Sequence, residues 1–186
     1  VYGTNNKWIG YVYDGTDMNV YKGFVTEGTT TNPNFDQSFG GNASNYTTSD
    51  CFVQTESFSM RYKLRKNFSP GTYIISVGGD ERYRLSLDGG ATWAIDYTGG
   101  STYFVSTISK ILNGDYDMVI EYAETTGSNR ISFTLSNILL SSKFGTVQLS
   151  LEGNKPRIEW TTLQESACAG FSIERSENGS DFHEIG

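Results

Sequence analysis

Apolar and polar residues alternate with a period of two along most of the chain, which is typical of strands that bury one face. The apolar sets that would share a face are Tyr73, Ile75 and Val77; Tyr83, Leu85 and Leu87; Tyr116, Met118, Ile120 and Tyr122; and Phe133 and Leu135. No stretch shows a sustained helical period. Glycine-rich breaks are predicted to separate the strands, at Gly71, Gly78-Gly79, Gly89-Gly90, Gly99-Gly100, Gly114 and Gly127. This spacing predicts an all-β fold, an antiparallel sandwich or a barrel.

A basic stripe lies on one of these predicted strands. Arg61, Lys63 and Arg65 would share one face, with Tyr62 and Leu64 on the other. We interpret the stripe as a solvated face that discourages edge aggregation, and binding of anionic glycans is the alternative.

The chain is predicted to hold two domains. The polar segment 40–50 reads as a loop within the first, and a break near residues 141–145 separates residues 1–141 from residues 142–186. Three strands follow the break, around Val147–Leu151, Ile158–Trp160 and Phe171–Arg175. This second part is about half the length of an immunoglobulin-like sandwich, which needs ~100 residues.

Composition narrows the function classes. The formal net charge of -7 disfavours nucleic acid as a partner, because an acidic chain repels phosphate backbones. No apolar run is long enough to span a membrane. The single histidine, His183, gives no basis for a zinc site or a serine–histidine catalytic arrangement. We therefore expect a binding protein and not an enzyme.

Two cysteines, Cys51 and Cys168, fall in different predicted domains. We favour two separate thiols over a disulfide bridge, although the sequence leaves both possibilities open.

Several segments of the first domain, in order, resemble the protective-antigen domain family. The segments that carry the resemblance are residues 7–13, 21–25, 32–40, 70–77 (PGTYIISV), 80–89 (DERYRLSLDG) and 114–122 (GDYDMVIEY). Together they cover roughly residues 7–137. The resemblance implies an antiparallel β-sandwich of jelly-roll type, a fold that this family contributes to toxins, glycosidases and adhesins.

The resemblance also implies site residues. In the family's lectin members, two adjacent aspartates joined by a cis peptide coordinate a calcium ion, and this ion binds hydroxyl groups of the sugar. The matching positions here are Asp80 and Glu81, followed by Arg82 where the family has glycine. Asp80 and Glu81 are thus the predicted carbohydrate-binding residues and the possible calcium ligands. Asn129 lies in a late loop that adds ligands in those lectins, and is predicted to accompany them.

A further segment, residues 86–93 (SLDGGATW), fits the Asp-box pattern, which we interpret as a hairpin-forming device. Aromatic residues flank it. Trp93 is predicted to pack in the core, whereas Tyr97, rather than Tyr103, is predicted to be exposed and to stack on a sugar.

The second part resembles a fibronectin type III-like domain. The resemblance rests on residues 158–162 (IEWTT), 170–176 (GFSIERS) and 178–179. It implies a secreted or cell-surface location, with other domains of a longer parent chain as partners.

These observations predict a non-catalytic, lectin-like carbohydrate-binding or adhesion module of a larger extracellular protein. Its partner would be a glycan or another surface macromolecule. The alternatives are a purely structural spacer without a ligand, and an accessory domain of a glycoside hydrolase.

Overall fold

The computed structural model describes residues 1–41, 43–100, 102–138, 143–165 and 170–186. The chain divides into two compact units, Val1–Ile138 and Leu139–Gly186. Cys51 is exposed, and Cys168 lies outside the described residues, so the pairing of the two cysteines stays a prediction. None of the described segments forms a helix that could cross a membrane.

The described residues of the first unit form ten strands. They are β1 (Trp8–Asp14), β2 (Val20–Glu27), β3 (Phe35–Ser38), β4 (Asn45–Thr47), β5 (Phe52–Gln54), β6 (Phe58–Gly79), β7 (Arg82–Ser86), β8 (Ile95–Tyr97), β9 (Phe104–Glu124) and β10 (Arg130–Ile138). All the pairings between them are antiparallel. The predicted all-β, antiparallel sandwich is confirmed.

Two long strands, β6 and β9, pair with each other and form a ribbon that runs through both layers of the sandwich. They pair from Phe58 opposite Glu124 to Gly79 opposite Phe104. One half of this ribbon is flanked by β1 and β2 on one side and by β7 and β8 on the other. The other half carries β10, with β3 beyond it. The two halves face each other, since the Trp8 and Phe133 rings from opposite layers meet edge to face at 4.9 Å between centroids.

A bulge bends the β6–β9 ribbon between its two halves. The register shifts between Phe68 and Gly71, and the buried face of β6 changes there from even positions such as Leu64 to odd positions such as Tyr73. Pro70 fits this position because it has no N–H to donate to the ladder. The prediction that Gly71 and Gly114 separate strands was wrong: both lie inside continuous strands, and the bulge absorbs the bend.

The core lies between the two layers. Its largest fully buried side chains include Trp8, Phe58, Tyr62, Tyr83, Tyr122 and Phe133. The indole of Trp8 donates a hydrogen bond to the carbonyl of Pro33 at 2.9 Å, which satisfies its only polar atom. Tyr73, Ile75 and Val77 are buried together, as their alternation predicted.

The Asp-box forms the predicted hairpin turn after β7. Asp88 accepts hydrogen bonds from the Thr92 backbone N–H at 2.8 Å and the Thr92 hydroxyl at 2.6 Å. These bonds lower the pKa of Asp88 to about 2. Gly89 and Gly90 take positive φ angles of 78° and 100°.

Two other sequence predictions were wrong in detail. The segment 40–50 is not wholly a loop, because β4 lies within it and pairs with β5. Trp93 is not in the core but half-exposed, with the Arg84 guanidinium 3.9 Å from its ring centroid. A cation over an aromatic ring at an exposed site contributes about 0.5–1 kcal/mol, which supports the Trp93 ring on the outer face of the sheet.

The described strands of the second unit form two hairpins. They are β11 (Lys143–Glu152) with β12 (Lys155–Gln164), and β13 (Glu174–Ser176) with β14 (Phe182–Glu184). The third predicted strand begins only at Glu174, after Phe171 and Ile173, and β14 was not predicted. The fibronectin type III-like assignment and the boundary after residue 141 stay predictions.

Candidate functional site

Four strand ends converge at one end of the first unit and enclose an open cavity of about 420 Å³. Ser38 ends β3, Asp80 follows β6, Tyr103 precedes β9 and Arg130 begins β10. We call this the rim cavity. Its lining residues are Ser38, Gly41, Asp80, Thr102, Tyr103, Ser128, Asn129 and Arg130.

Asp80 ties three strands together at this rim. Its side chain is only 4% exposed, and Oδ1 accepts hydrogen bonds from the Tyr122 hydroxyl at 2.8 Å and the Arg130 backbone N–H at 3.0 Å. Asp80 therefore both lines the cavity and fixes the ends of β6, β9 and β10.

Behind Asp80, a second carboxyl group is buried. Glu124 is fully buried, and its Oε2 lies 2.5 Å from the Tyr122 hydroxyl, while its Oε1 has no hydrogen-bond partner among the described residues. Tyr122 has one hydroxyl hydrogen for two carboxyl neighbours. The hydroxyl lies within donating distance of both carboxyl groups but can donate to only one of them at a time. If Glu124 carries a proton, its own O–H can donate to Tyr122 while Tyr122 donates to Asp80.

The electrostatics of Glu124 agree with a proton on this carboxyl group. Burial, together with the negative charges of Asp80 and Glu81, raises the pKa of Glu124 to about 7. Burial and the hydrogen bond with Glu124 raise the pKa of the Tyr122 hydroxyl, which therefore stays protonated.

Glu81 lies in the turn between β6 and β7, half-buried, and its Oε1 accepts a hydrogen bond from the Thr125 hydroxyl at 3.0 Å. It does not line the rim cavity. The described residues contain no cis peptide, so Asp80 and Glu81 are joined by a trans bond.

The arrangement of these acids does not fit a calcium site. Oδ1 of Asp80 already accepts two hydrogen bonds, and Oε1 of Glu81 is bonded to Thr125. Within the described ranges, no group of three or more His, Cys, Asp or Glu side chains could hold a metal ion. Calcium needs six to eight oxygen ligands, which Asp80 and Glu81 alone do not supply. Calcium binding stays a prediction.

Asn129 lines the cavity, but its side-chain amide is hydrogen-bonded to the backbone of the loop that follows β3. Its Oδ1 accepts from the backbone N–H groups of Phe39 and Gly41, both at 3.1 Å, and its Nδ2 donates to the carbonyls of Gly41 at 2.9 Å and Thr55 at 3.3 Å. With 2% exposure, Asn129 shapes the cavity wall. Its predicted contact with a sugar stays a prediction.

Tyr97 lies outside the rim cavity. Its half-buried ring stacks between Tyr83, at 4.8 Å between centroids, and Phe104, at 5.1 Å. The structure therefore brings Asp80 and Asn129 together at one cavity and leaves Glu81 and Tyr97 outside it.

Two residues outside the predicted site complete the rim: Tyr103, which the sequence ranked below Tyr97 as a sugar contact, and Arg130. The half-buried Tyr103 donates or accepts a hydrogen bond with the Ser132 hydroxyl at 2.6 Å, and the Arg130 guanidinium lies 4.5 Å from its ring centroid. Arg130 also pairs with Asp36, and that hydrogen bond lowers the pKa of Asp36. The available signal was position: Tyr103 directly precedes a strand and Arg130 directly follows Asn129.

Chemically, the rim cavity combines an aromatic ring, hydroxyl groups, a carboxylate and a guanidinium. Such a set offers donors and acceptors side by side and suits a polar ligand with many hydroxyl groups.

No family model and no curated protein matches this chain. Solved structures do match its fold. The PA14 domain of the MpAFP antifreeze protein has a TM-score of 0.54 at 13% identity, covering 70% of this chain and 81% of that one. A PA14 sugar-binding domain from an RTX adhesin has a TM-score of 0.53 at 13% identity, covering 83% and 94%. An anti-sigma factor domain-containing protein from Clostridium clariflavum has a TM-score of 0.52 at 20% identity, covering 70% and 41%. The chain therefore has a PA14-like (protective-antigen-like) β-sandwich fold.

Proposed function

We propose that the first unit is a non-catalytic carbohydrate-binding module that holds a glycan in the rim cavity. It would serve adhesion or recognition within a larger secreted or cell-surface protein. The observation that carries the proposal is the convergence of Asp80, Tyr103 and Arg130 at one open cavity, where the ends of four strands meet. Support at the level of the fold comes from a structural neighbour described as a sugar-binding domain.

Each group at the rim has a role that sugar chemistry explains. Sugar hydroxyls donate as well as accept, so the Asp80 carboxylate can accept from one hydroxyl while the Arg130 guanidinium donates to another. The Tyr103 ring offers an apolar face against the C–H face of a pyranose. Ser128 and Thr102 add hydroxyl groups at the cavity wall.

The carboxyl groups at the rim favour binding over catalysis. A glycosidase needs two carboxyl groups that reach the glycosidic bond from opposite sides, ~5 to 9.5 Å apart. Glu124, the neighbour of Asp80 through Tyr122, is fully buried and does not line the cavity. Among the described residues that line the rim cavity, Asp80 is therefore the only carboxylate.

A glycan array with the full chain tests the proposal, run once with calcium and once with a chelator. We expect at least one glycan to bind, and Tyr103→Ala to weaken that binding by about fivefold, since loss of one stacking contact costs about 1 kcal/mol. Tyr21→Ala is the matched control, because Tyr21 is 48% exposed on β2 and does not line the rim cavity.

Absence of binding to every glycan on the array, with calcium and with the chelator, would support the structural-spacer alternative. Equal binding by the wild type and Tyr103→Ala would place the sugar elsewhere.

A further inference from the structure

A second concave surface, with different chemistry, crosses the solvent-facing side of the sheet half that contains β1, β6, β9 and β7. Two cavities of about 200 and 320 Å³ lie on this side and share Arg61, Arg84 and Glu121 among their lining residues. We call this surface the basic groove and define it by five residues: Arg61, Lys63, Arg82, Arg84 and Trp93. None of the five lines the rim cavity.

The strand register explains how the groove is assembled. Arg61 on β6 and Arg84 on β7 lie opposite the same residue of β9, Glu121. Lys63 is two residues further along β6, and Arg82 is two residues back along β7. Side chains two apart on a strand share a face, so all four cations point to the same side.

Glu121 neutralises only part of this charge. Its carboxylate is 7% exposed, with Oε1 bonded to Arg61 Nε at 2.6 Å and Oε2 bonded to Arg84 Nε at 2.7 Å. One negative charge thus holds two guanidinium groups in fixed positions. Both remain accessible, with side-chain exposures of 36% for Arg61 and 28% for Arg84. The clamp orients the two arginines and leaves a net positive charge between them.

The other two cations form no ion pair among the described residues; Lys63 acts on Asp117, the partner of Arg65, only at longer range. The Arg82 side chain is exposed and makes no hydrogen bond or ion pair with the part of the chain that the structure describes. The Lys63 ammonium lies 4.9 Å from the Tyr2 ring centroid and likewise has no ion pair within the described ranges. By contrast, Arg65 on the same strand pairs with Asp117 and lies outside the groove.

This accumulation runs against the charge of the whole chain. The net charge is -7, yet the groove is lined by four cations and only two acids, Asp17 and Glu121. Like charges gathered on one face repel each other, and Asp96, opposite Arg84 on β8, and Asp117 relieve only part of that repulsion at the edges of the groove. The uncompensated charge is therefore better explained by a ligand than by stability.

Aromatic groups and open space favour a sugar chain over a single small anion. Trp93, stacked beneath Arg84 at 3.9 Å, is half-exposed at the wall. Gly90 also lines the larger of the two cavities, and a Cβ there would meet no atom within 4 Å. Tyr11 on β1 lies opposite Arg61 and extends the same face with a half-exposed ring. An extended surface of alternating cations and aromatic rings suits a chain of sugar rings that bears acidic groups.

We propose that the basic groove binds an acidic polysaccharide through its sulfate or carboxylate groups. This site is separate from the rim cavity and goes beyond the function proposed for it. Arg61 and Arg84, held by Glu121, would each offer a guanidinium edge to one acidic group. Lys63 and Arg82 would supply the charge at the two ends of the groove.

The test is isothermal titration of the full chain with a size-defined heparin oligosaccharide, an oligogalacturonate, and a neutral maltooligosaccharide. We expect one or both acidic probes to bind and the neutral probe not to compete with them. Affinity should fall as salt rises from about 50 to about 500 mM, because exposed charges are screened. The double variant Lys63→Ala/Arg82→Ala should weaken binding of the acidic probe by about tenfold or more at low salt.

Lys110→Ala is the matched control. Lys110 is exposed on the other half of β9 and lines neither cavity of the groove, so its loss changes the net charge without changing the groove. The double variant removes no ion pair of the described residues and one surface cation–π contact, that of Lys63 with Tyr2, so it should melt within a few degrees of the wild type. Failure of both acidic probes to bind, or an equal effect of the double variant and Lys110→Ala, would overturn the proposal.

The two proposed sites can fail independently. Tyr103→Ala should leave binding of the acidic probe unchanged, and the groove variant should leave binding at the rim cavity unchanged. Loss of acidic-probe binding in Tyr103→Ala alone would assign that probe to the rim cavity and refute the groove.

Discussion

The buried carboxyl group of Glu124 should make the protein less stable as pH rises toward neutrality, which is the reverse of the usual behaviour of an acid in a fold. Glu124 is fully buried, and Asp80 and Glu81 are the negative charges that face it. Its pKa is about 7 in the folded protein, against about 4.5 when unfolded. The folded state thus retains a proton that the unfolded state releases. The stabilisation is complete below about pH 4.5 and is lost as pH rises through about 7.

The magnitude follows from the two pKa values. A difference of about 2.5 pKa units corresponds to at most about 3 kcal/mol, of which about 2 to 3 kcal/mol would be lost between pH 5 and pH 8. For a domain of this size, that is a fall in melting temperature of roughly 5–10 °C. Glu27, whose pKa is also raised by burial, adds to the same trend, so the wild-type slope alone does not isolate Glu124.

The variant Glu124→Gln isolates the contribution of Glu124 to the pH dependence of stability. A glutamine amide N–H can donate to the Tyr122 hydroxyl as the protonated carboxyl does, but it does not ionise. We expect the variant to match the wild type near pH 5 and to exceed its melting temperature at pH 8. Thermal melts of both proteins at half-unit steps of pH, at constant ionic strength, measure this difference. Parallel curves across the whole range would refute the proton assignment at Glu124.

Three further predictions concern the fold and the metal. Phe133→Ala should destabilise the first unit by about 3–5 kcal/mol, because the ring is fully buried against Trp8, whereas Phe182→Ala, 56% exposed, should change denaturant stability little. Gly114→Ala should lower the free energy of unfolding by about 1 kcal/mol in the same assay, because φ is +86° there. A Cβ would meet no atom within 4 Å, so backbone strain is the only expected cost. An unchanged denaturation midpoint would show that the β6–β9 ribbon relaxes. Millimolar calcium should leave the melting temperature unchanged, because Asp80 and Glu81 are already hydrogen-bonded; a rise of several degrees would instead support the predicted calcium site.

The local pattern of the sequence was sufficient for the fold class and for several strands. Alternation placed Tyr73, Ile75 and Val77 on a buried face, because a strand has a side-chain period of two and water penalises exposed apolar surface. The Asp-box likewise predicted its hairpin, since Asp88 and Thr92 are only four residues apart.

The pattern was insufficient where the contacts are distant in sequence. Gly71 and Gly114 resemble breaks, yet they lie in strands that continue through a bend, because the ladder between β6 and β9 outweighs the local preference of glycine. Trp93 resembles a core residue, but Arg84 supplies a cation on the outer face.

By itself, the sequence determined that this protein is all-β, a sandwich or a barrel, because that follows from period and turn chemistry within short segments; the choice of a sandwich came from the resemblance to the protective-antigen domain family. Only the tertiary structure decided which polar groups meet. It placed the buried Glu124 next to Tyr122, whose hydroxyl is hydrogen-bonded to Asp80, 42 residues away along the chain. It also brought Tyr103 and Arg130 to the rim. It also aligned Arg61 and Arg84 on either side of Glu121. Strand order and register set these meetings, and neither is encoded within any single segment.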